Sequence, residues 1–351
     1  MRLRITRTIR WVIAFMAYYS GFLRLWCRRT HDSIPLILAY HRVVARRDPE
    51  AECSLSAIIV CPDSFREQIA YLMDHYDIVS LERLPLIASE GSQFRKIAVI
   101  TFDDGWKDNY TNAYPVLREY GIPATIFLVT DHIGTSRWFW PEKVIYILKK
   151  AGKLRIRAPQ FLREWLGPEL DYFPAPTDVN GIHTLIESMK GLSVEKLDCI
   201  LGYLSKKTGV SLVSLEKTRI LLDWDEVKEM ASHGISFGSH TQTHPIMPSI
   251  QVDMASEEIR GSKKTIEKHL KKPCVTFAYP NGNWDETVRK IVMESGYTCA
   301  CSVSTTLSAS RVDLYSLKRR IIHEGFAAGP GGRFSKCLFA AELAGLFGFI
   351  R

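Results

Sequence analysis

The chain has 351 residues, 46% of them hydrophobic and 24% charged. That balance belongs to globular rather than disordered protein, and the length suffices for one large domain or two medium ones. A formal net charge of +8 suits an anionic partner such as a membrane surface, but no basic stripe is interleaved with aromatics, which argues against nucleic acid. Arg2, Arg4, Arg7 and Arg10 precede a 13-residue apolar run, WVIAFMAYYSGFL, shorter than the roughly 20 residues a membrane span needs. Charge before apolar text is also the order of a signal peptide, yet no small-x-small cleavage site follows. Arginines on both sides, with Trp11, Tyr18, Tyr19 and Trp26, suit either a helix lying on an anionic membrane or one packed on the domain. Residues 1–30 are therefore set apart, with peripheral membrane contact as one expectation.

IPLILAYHRVV (34–44) is an apolar run that reads as a buried strand. Residues 63–76 read as a helix with Asp63 as N-cap and Phe65, Ile69, Leu72 and Met73 on one face. KIAVITF, a helix over YTNAYPVLREYG closed by Gly121, and IPATIFLVT follow. Strand, helix and strand in succession imply parallel strands joined by crossovers. Residues 31–136 are thus the first part of an α/β barrel or doubly wound sheet.

Residues 137–222 mix aromatics, charges and prolines before helical text, and read as a mainly helical insertion. Trp138, Phe139 and Trp140 at its start suit sugar stacking or core packing. The alternation resumes at DWDEVKEMASHG, a helix capped by Asp223 or Asp225, and runs through ISFGSH, CVTFAYP, YTCACSVS and SLKRRIIH. Residues 223–325 so complete a barrel of about seven strand–helix steps. The tail, 326–351, reads as an amphipathic helix.

Eight cysteines (27, 53, 61, 199, 274, 299, 301 and 337) show no C-x-x-C pair. Free thiols in a reducing compartment are expected, which fits the cytoplasm or the cytoplasmic face of a membrane. Disulfides in an enzyme exported to the cell envelope are the alternative.

In parallel α/β folds the active site sits at the C-terminal strand ends. Three polar sets occur there: Asp103 and Asp104 after AVITF; Ser239, His240 and His244 after ISFG; Tyr279, Pro280, Asn281 and Gly282 after TFA. Two histidines four apart can aim at one cation, and a carboxylate from a neighbouring strand completes a two-histidine, one-carboxylate set. Adjacent aspartates cannot point the same way along an extended chain, so one is expected on a metal and its neighbour on water.

These residues carry a resemblance. TFDDGWKDNYTNAYPVLREYGIPATIFLV, SHTQTHP and FAYPNG stand in the order of the motifs of the polysaccharide deacetylase family, the NodB-homology carbohydrate esterases. The likeness covers residues 34–325, less the insertion. It implies a distorted (β/α) barrel and hydrolysis of an acetyl group from an N-acetylated glycan. By resemblance Asp103 is the catalytic base and Asp104, His240 and His244 are ligands of a divalent metal, usually Zn2+ and sometimes Co2+ or Ni2+. Asn281 then supplies a backbone N–H to the oxyanion, and Gly282 allows the turn.

Two departures stand out. Ala278 occupies the position where the family carries an arginine that orients the base; Arg319 or Arg320 is the expected substitute. The family's general-acid histidine is matched only loosely, by His323 in RIIHEG. His41 in YHRV, at another strand end, suits either a place in the site or a structural hydrogen bond. Tyr279, Pro280, Gly282, Trp106 and His41 are the expected substrate-binding set. Removal of formyl from a polyprenyl-linked amino sugar, and an inactive carbohydrate-binding relative, are the rival functions.

Overall fold

The computed structural model describes residues 6–30, 34–45, 48, 51–91, 94–152, 154–213, 215–303 and 312–347. Its ten strands are β1 (Leu36–Tyr40), β2 (Arg42–Val43), β3 (Ile59–Val60), β4 (Asp77–Ile78), β5 (Ile97–Phe102), β6 (Ala124–Leu128), β7 (Ile235–Ser239), β8 (Thr276–Ala278), β9 (Cys299–Val303) and β10 (Leu317–Ile321). Seven of them close on themselves in the order β1-β10-β9-β8-β7-β6-β5, and β5 pairs back to β1. Every pairing is parallel, so the (β/α) barrel expected from the alternation is present.

The chain clusters into two compact units. The first holds Met1–Ala45, Ser56–Ile133 and Leu221–Arg351 and contains the barrel. Its helices are α1 (Arg7–Tyr19), α2 (Phe22–Thr30), α3 (Pro62–His75), α4 (Leu84–Ser89) and α5 (Tyr114–Tyr120), then, after the insertion, α10 (Trp224–Ser232), α11 (Val252–Leu270), α12 (Glu286–Glu294) and α13 (Lys336–Leu343). The second unit, Arg46–Leu55 with Gly134–Ile220, holds α6 (Trp140–Ala151), α7 (Gln160–Leu166), α8 (Val179–Met189) and α9 (Val194–Thr208). It has a core of its own, with Val144, Ile147, Leu162, Ile186 and Ile200 buried together. Trp138 is buried there and its indole donates to the Thr218 carbonyl at 2.9 Å, which is core packing rather than a sugar platform.

Several local expectations need correction. The strand expected through 34–44 breaks at His41, after which β2 leaves the barrel to pair with β3. Asp63 lies in the first turn of α3; Cys61 is the N-cap and Pro62 opens the helix, its missing N–H costing nothing there. Asp223, not Asp225, caps α10, in a reciprocal capping box with Glu226. The tail helix is not amphipathic, because Cys337 through Leu343 are all buried; residues 348–351 lie outside the described residues. So do residues 1–5, which hold Arg2 and Arg4 of the N-terminal basic cluster, and the side chain of Cys27. Cys199, Cys274, Cys299, Cys301 and Cys337 are free thiols.

The barrel interior sets up the site. Ile37, Val99, Phe127, Cys299, Cys301 and Leu317 share one buried apolar cluster. With a side-chain period of two, the inward positions of β5 and its continuation run Val99, Thr101, Asp103, and those of β10 run Leu317, Arg319. Each strand is apolar low in the barrel and polar at its C-terminal end.

Candidate active site

Asp103 keeps the strand conformation: its N–H still bonds to Tyr40 O at 2.9 Å. Its carboxylate therefore points into the barrel and is buried. There Arg319, fully buried, meets it with a two-pronged grip, Nη1 to Oδ1 at 2.6 Å and Nη2 to Oδ2 at 2.7 Å. Arg319 also donates to Thr101 Oγ1 at 3.1 Å and lies over the Phe127 ring at 5.3 Å. Burial alone would raise the Asp103 pKa, but the Arg319 guanidinium, together with smaller contributions from His240 and His41, outweighs it and holds the acid well below the usual carboxylate range. Arg320, one residue on and of opposite parity, bonds instead to the Glu342 carbonyl. Ala278 leaves no cation on β8, and of the three on β10 it is Arg319 that faces the base.

Asp104 departs from the strand at once. Its φ is +72°, followed by Gly105 at +75°. A Cβ on Gly105 would come within 2.8 Å of the Leu128 side chain, so the turn needs glycine. This left-handed step swings Asp104 toward the histidines and separates it from its neighbour. Asp104 Oδ2 accepts from Trp106 Nε1 at 2.9 Å, while Oδ1 lies 3.7 Å from His240 Nε2 and 3.5 Å from His244 Nε2.

The two histidines stand on a loop, not a helix. His240 ends the β7 ladder, its N–H bonding to Leu128 O. Thr241 and His244 both have positive φ, +70° and +66°. Thr241 Oγ1 accepts from His244 N at 2.9 Å. Glu258 of α11 accepts from the N–H groups of Gln242 and Thr243 at 2.7 and 2.9 Å. The loop is fixed from below by one buried hydroxyl and one carboxylate. Among the described residues, four of the six non-glycine residues with positive φ (Asp104, Thr241, His244 and Asn281) stand at these strand ends, and such backbone strain clusters at functional sites in proteins.

The donor set fits a divalent cation. Ligand atoms of Asp104, His240 and His244 all lie within 4.8 Å of one another; two donors each about 2.1 Å from one tetrahedral ion sit about 3.4 Å apart. His240 Nδ1 is 2.7 Å from the Ala278 carbonyl. A carbonyl only accepts, so Nδ1 carries the proton and Nε2 presents its lone pair. Burial, only partly offset by the Asp103 charge, pushes the His240 pKa down to about 4, which keeps the ring neutral and able to ligate.

The remaining expected residues divide. His41 lies at the barrel mouth with Nε2 3.9 Å from Asp103 Oδ2. Asn281 sits on an exposed turn after β8, at φ +56°, and Gly282 follows at +75°, where a Cβ would meet Val303 N at 2.7 Å. His323 follows the end of β10 and packs against Phe326. Tyr279 and Pro280 are buried, and the Tyr279 hydroxyl is spent on Tyr315 O at 2.9 Å, so neither offers a sugar contact. Trp106, expected in the cleft, is 1% exposed and works as the hydrogen-bond donor behind Asp104. Asp108 is buried on Arg42 (2.8 Å) and Val43 N (2.7 Å), and Arg42 in turn stacks on Trp106 at 4.5 Å. Arg42 and Glu258 were not singled out from sequence. Nothing in YHRV or EEIR marks either, because their partners lie 66 and 16 residues away.

A parallel barrel with two carboxylates and two imidazoles converging at its C-terminal mouth is the framework of a hydrolase. The chain belongs to the polysaccharide deacetylase family, whose model matches residues 90–300. It is 22% identical to the putative polysaccharide deacetylase YxkH of Bacillus subtilis, over 88% of this chain and 78% of that one. It is 26% identical to a poly-beta-1,6-N-acetyl-D-glucosamine N-deacetylase of Staphylococcus epidermidis, over 61% and 74%. Among solved structures, the Streptococcus pyogenes deacetylase PplD shares the fold at a TM-score of 0.55 with 21% identity, covering 86% of this chain and 96% of that one. IcaB from Ammonifex degensii does so at 0.55 with 16%, covering 90% and 98%.

Proposed function

We propose that this deacetylase is metal-dependent and hydrolyses the N-acetyl amide of an amino sugar within a glycan, an N-acetylglucosamine polymer being the favoured class. The observation that carries the reading is the pairing of a cation-ready cluster, Asp104, His240 and His244, with a separate buried carboxylate, Asp103, that Arg319 holds ionised. The Staphylococcus epidermidis relative, named for poly-beta-1,6-N-acetyl-D-glucosamine, supports the substrate class.

Asp104 Oδ1, His240 Nε2 and His244 Nε2 would hold the ion, zinc by donor type, and when bound it supplies a Lewis acid that makes water more acidic and polarises the amide carbonyl. The chain's own residues do the rest. Asp103 takes a proton from water as its oxygen attacks the carbonyl carbon. The backbone N–H of Asn281 donates to the oxygen that gains charge. His41, 3.9 Å from Asp103, gives a proton to the sugar nitrogen as the C–N bond breaks, leaving acetate and a free amine. Geometry favours His41 over His323 for this step, because His41 approaches the base directly.

The test is acetate release by Asp103→Asn with metal occupancy held equal to the parent. Release is expected to fall about 10²–10⁴-fold, the usual worth of a positioned base; undiminished release sinks the assignment. Assaying formate beside acetate separates deformylation, and an inactive parent with full metal occupancy points to a binding protein.

A further inference from the structure

Helix α1 is apolar on two opposite sides. One side is seated on the barrel unit: Ala14 and Ala17 are buried, Arg10 pairs with Glu342, and its guanidinium lies over the Phe347 ring at 4.8 Å. Helix α2 adds a tie, Trp26 Nε1 to Ala344 O at 3.1 Å. The other side faces solvent. Ile9, Val12, Phe15, Met16 and Tyr19 are 41–68% exposed. On a 3.6-residue helix they fall within about 120° of one another, opposite the alanines. Phe22 and Leu25 of α2 continue the patch at 45% and 63% exposure. Seven large apolar side chains exposed between residues 9 and 25 are a patch, not the scattered exposure ordinary to surfaces.

Charge says what covers it. The chain has 46 basic and 38 acidic residues; seven arginines and no acid stand in the first 30, leaving 39 against 38 in the rest. The whole basic lean of the protein therefore lies in the stretch of sequence that carries the apolar patch, and Arg7 and Arg24 on its two helices are exposed. No helix among the described residues is long and apolar enough to cross a membrane. Aromatics contacting one another along the helices, exposed Phe15 with exposed Tyr19 at 4.5 Å and exposed Phe22 with half-buried Trp26 at 5.9 Å, suit the water–lipid boundary.

We propose that α1 and α2 form a docking face for an anionic lipid surface, lying in the interface with the apolar stripe in the acyl boundary and the arginines among the headgroups. A second copy of the chain would gain no charge complementarity from a face that is itself so basic. The inference stands apart from the chemistry of the barrel mouth.

Full-length protein and the Phe15→Glu, Met16→Glu double variant are sedimented with mixed phosphatidylglycerol–phosphatidylcholine vesicles, with phosphatidylcholine vesicles, and with the mixed vesicles at high salt. Both positions are exposed, so the fold is expected to persist; thermal melting and deacetylase activity on a soluble substrate check it. The parent is expected to bind the mixed vesicles, and about tenfold or more weaker when the lipid is neutral, the salt is high or the stripe is charged. Absence of binding, binding that the double variant retains in full, or a lipid-free dimer that the variant converts to monomer each overturns the proposal.

Discussion

Arg319 and Asp103, 216 residues apart, meet inside the barrel with both guanidinium prongs on both carboxylate oxygens, at 2.6 and 2.7 Å. The pair replaces what a cation on β8 would otherwise do, since Ala278 has no charge to offer. It orients the base and keeps it ionised against the pull of burial.

Arg319→Met should expose that opposition. With the guanidinium gone, burial is the larger influence on Asp103 and its pKa rises. A base works when deprotonated, so the acid limb of the pH–rate profile should move to higher pH. Leaving a buried carboxylate unpaired should also cost about 3–5 kcal/mol of stability. Arg319→Lys, which keeps the charge and loses the fork, should show the smaller shift. A profile unmoved in both variants means Arg319 does not set the base.

His244→Ala should empty the cation site, read by metal analysis after dialysis, with loss of the thermal stabilisation that added zinc gives the parent. Trp106→Phe keeps the ring under Arg42 but deletes the donor to Asp104 Oδ2. Metal affinity should weaken about 10–100-fold, the usual cost of losing a group that orients a ligand.

His41→Gln and His323→Gln decide between the two proton donors. Loss of about 10²-fold or more in kcat is expected for His41→Gln. His323→Gln should leave kcat nearly unchanged. The reverse result transfers the role to His323.

Gly282→Ala puts a methyl 2.7 Å from Val303 N at a φ of +75°. A strained residue of this kind costs about 1–3 kcal/mol, and the displaced turn carries Asn281 with it. Lower kcat at nearly unchanged metal content is the expected pattern, measured by steady-state kinetics beside metal analysis.

Much of this site was legible before folding. AVITFDDG announces a buried strand that ends in carboxylates, and the step from extended Asp103 to left-handed Asp104 is the physical form of two neighbours that cannot share a direction. SHTQTHP announced the imidazoles but not their support: Thr241 and Glu258 shape that loop through contacts no spacing encodes. LKRRII offered two arginines. Only the inward parity of β10, fixed by its pairing with β1 and β9, selects Arg319 for the interior and sends Arg320 to Glu342. Trp106 and Tyr279 look like sugar platforms in sequence because aromatic identity is visible there and burial is not.

The amino-acid sequence by itself determined the alternation of strands and helices, the residue types at the strand ends and the breaks after them, because periodicity, capping and glycine chemistry act over a few neighbouring residues. The tertiary structure decided which arginine meets the base, which histidine approaches it, and which aromatics vanish into the wall. Those outcomes depend on how the strands register around a closed ring, and register is set by pairings between segments as distant in the chain as those of Leu38 and Arg320.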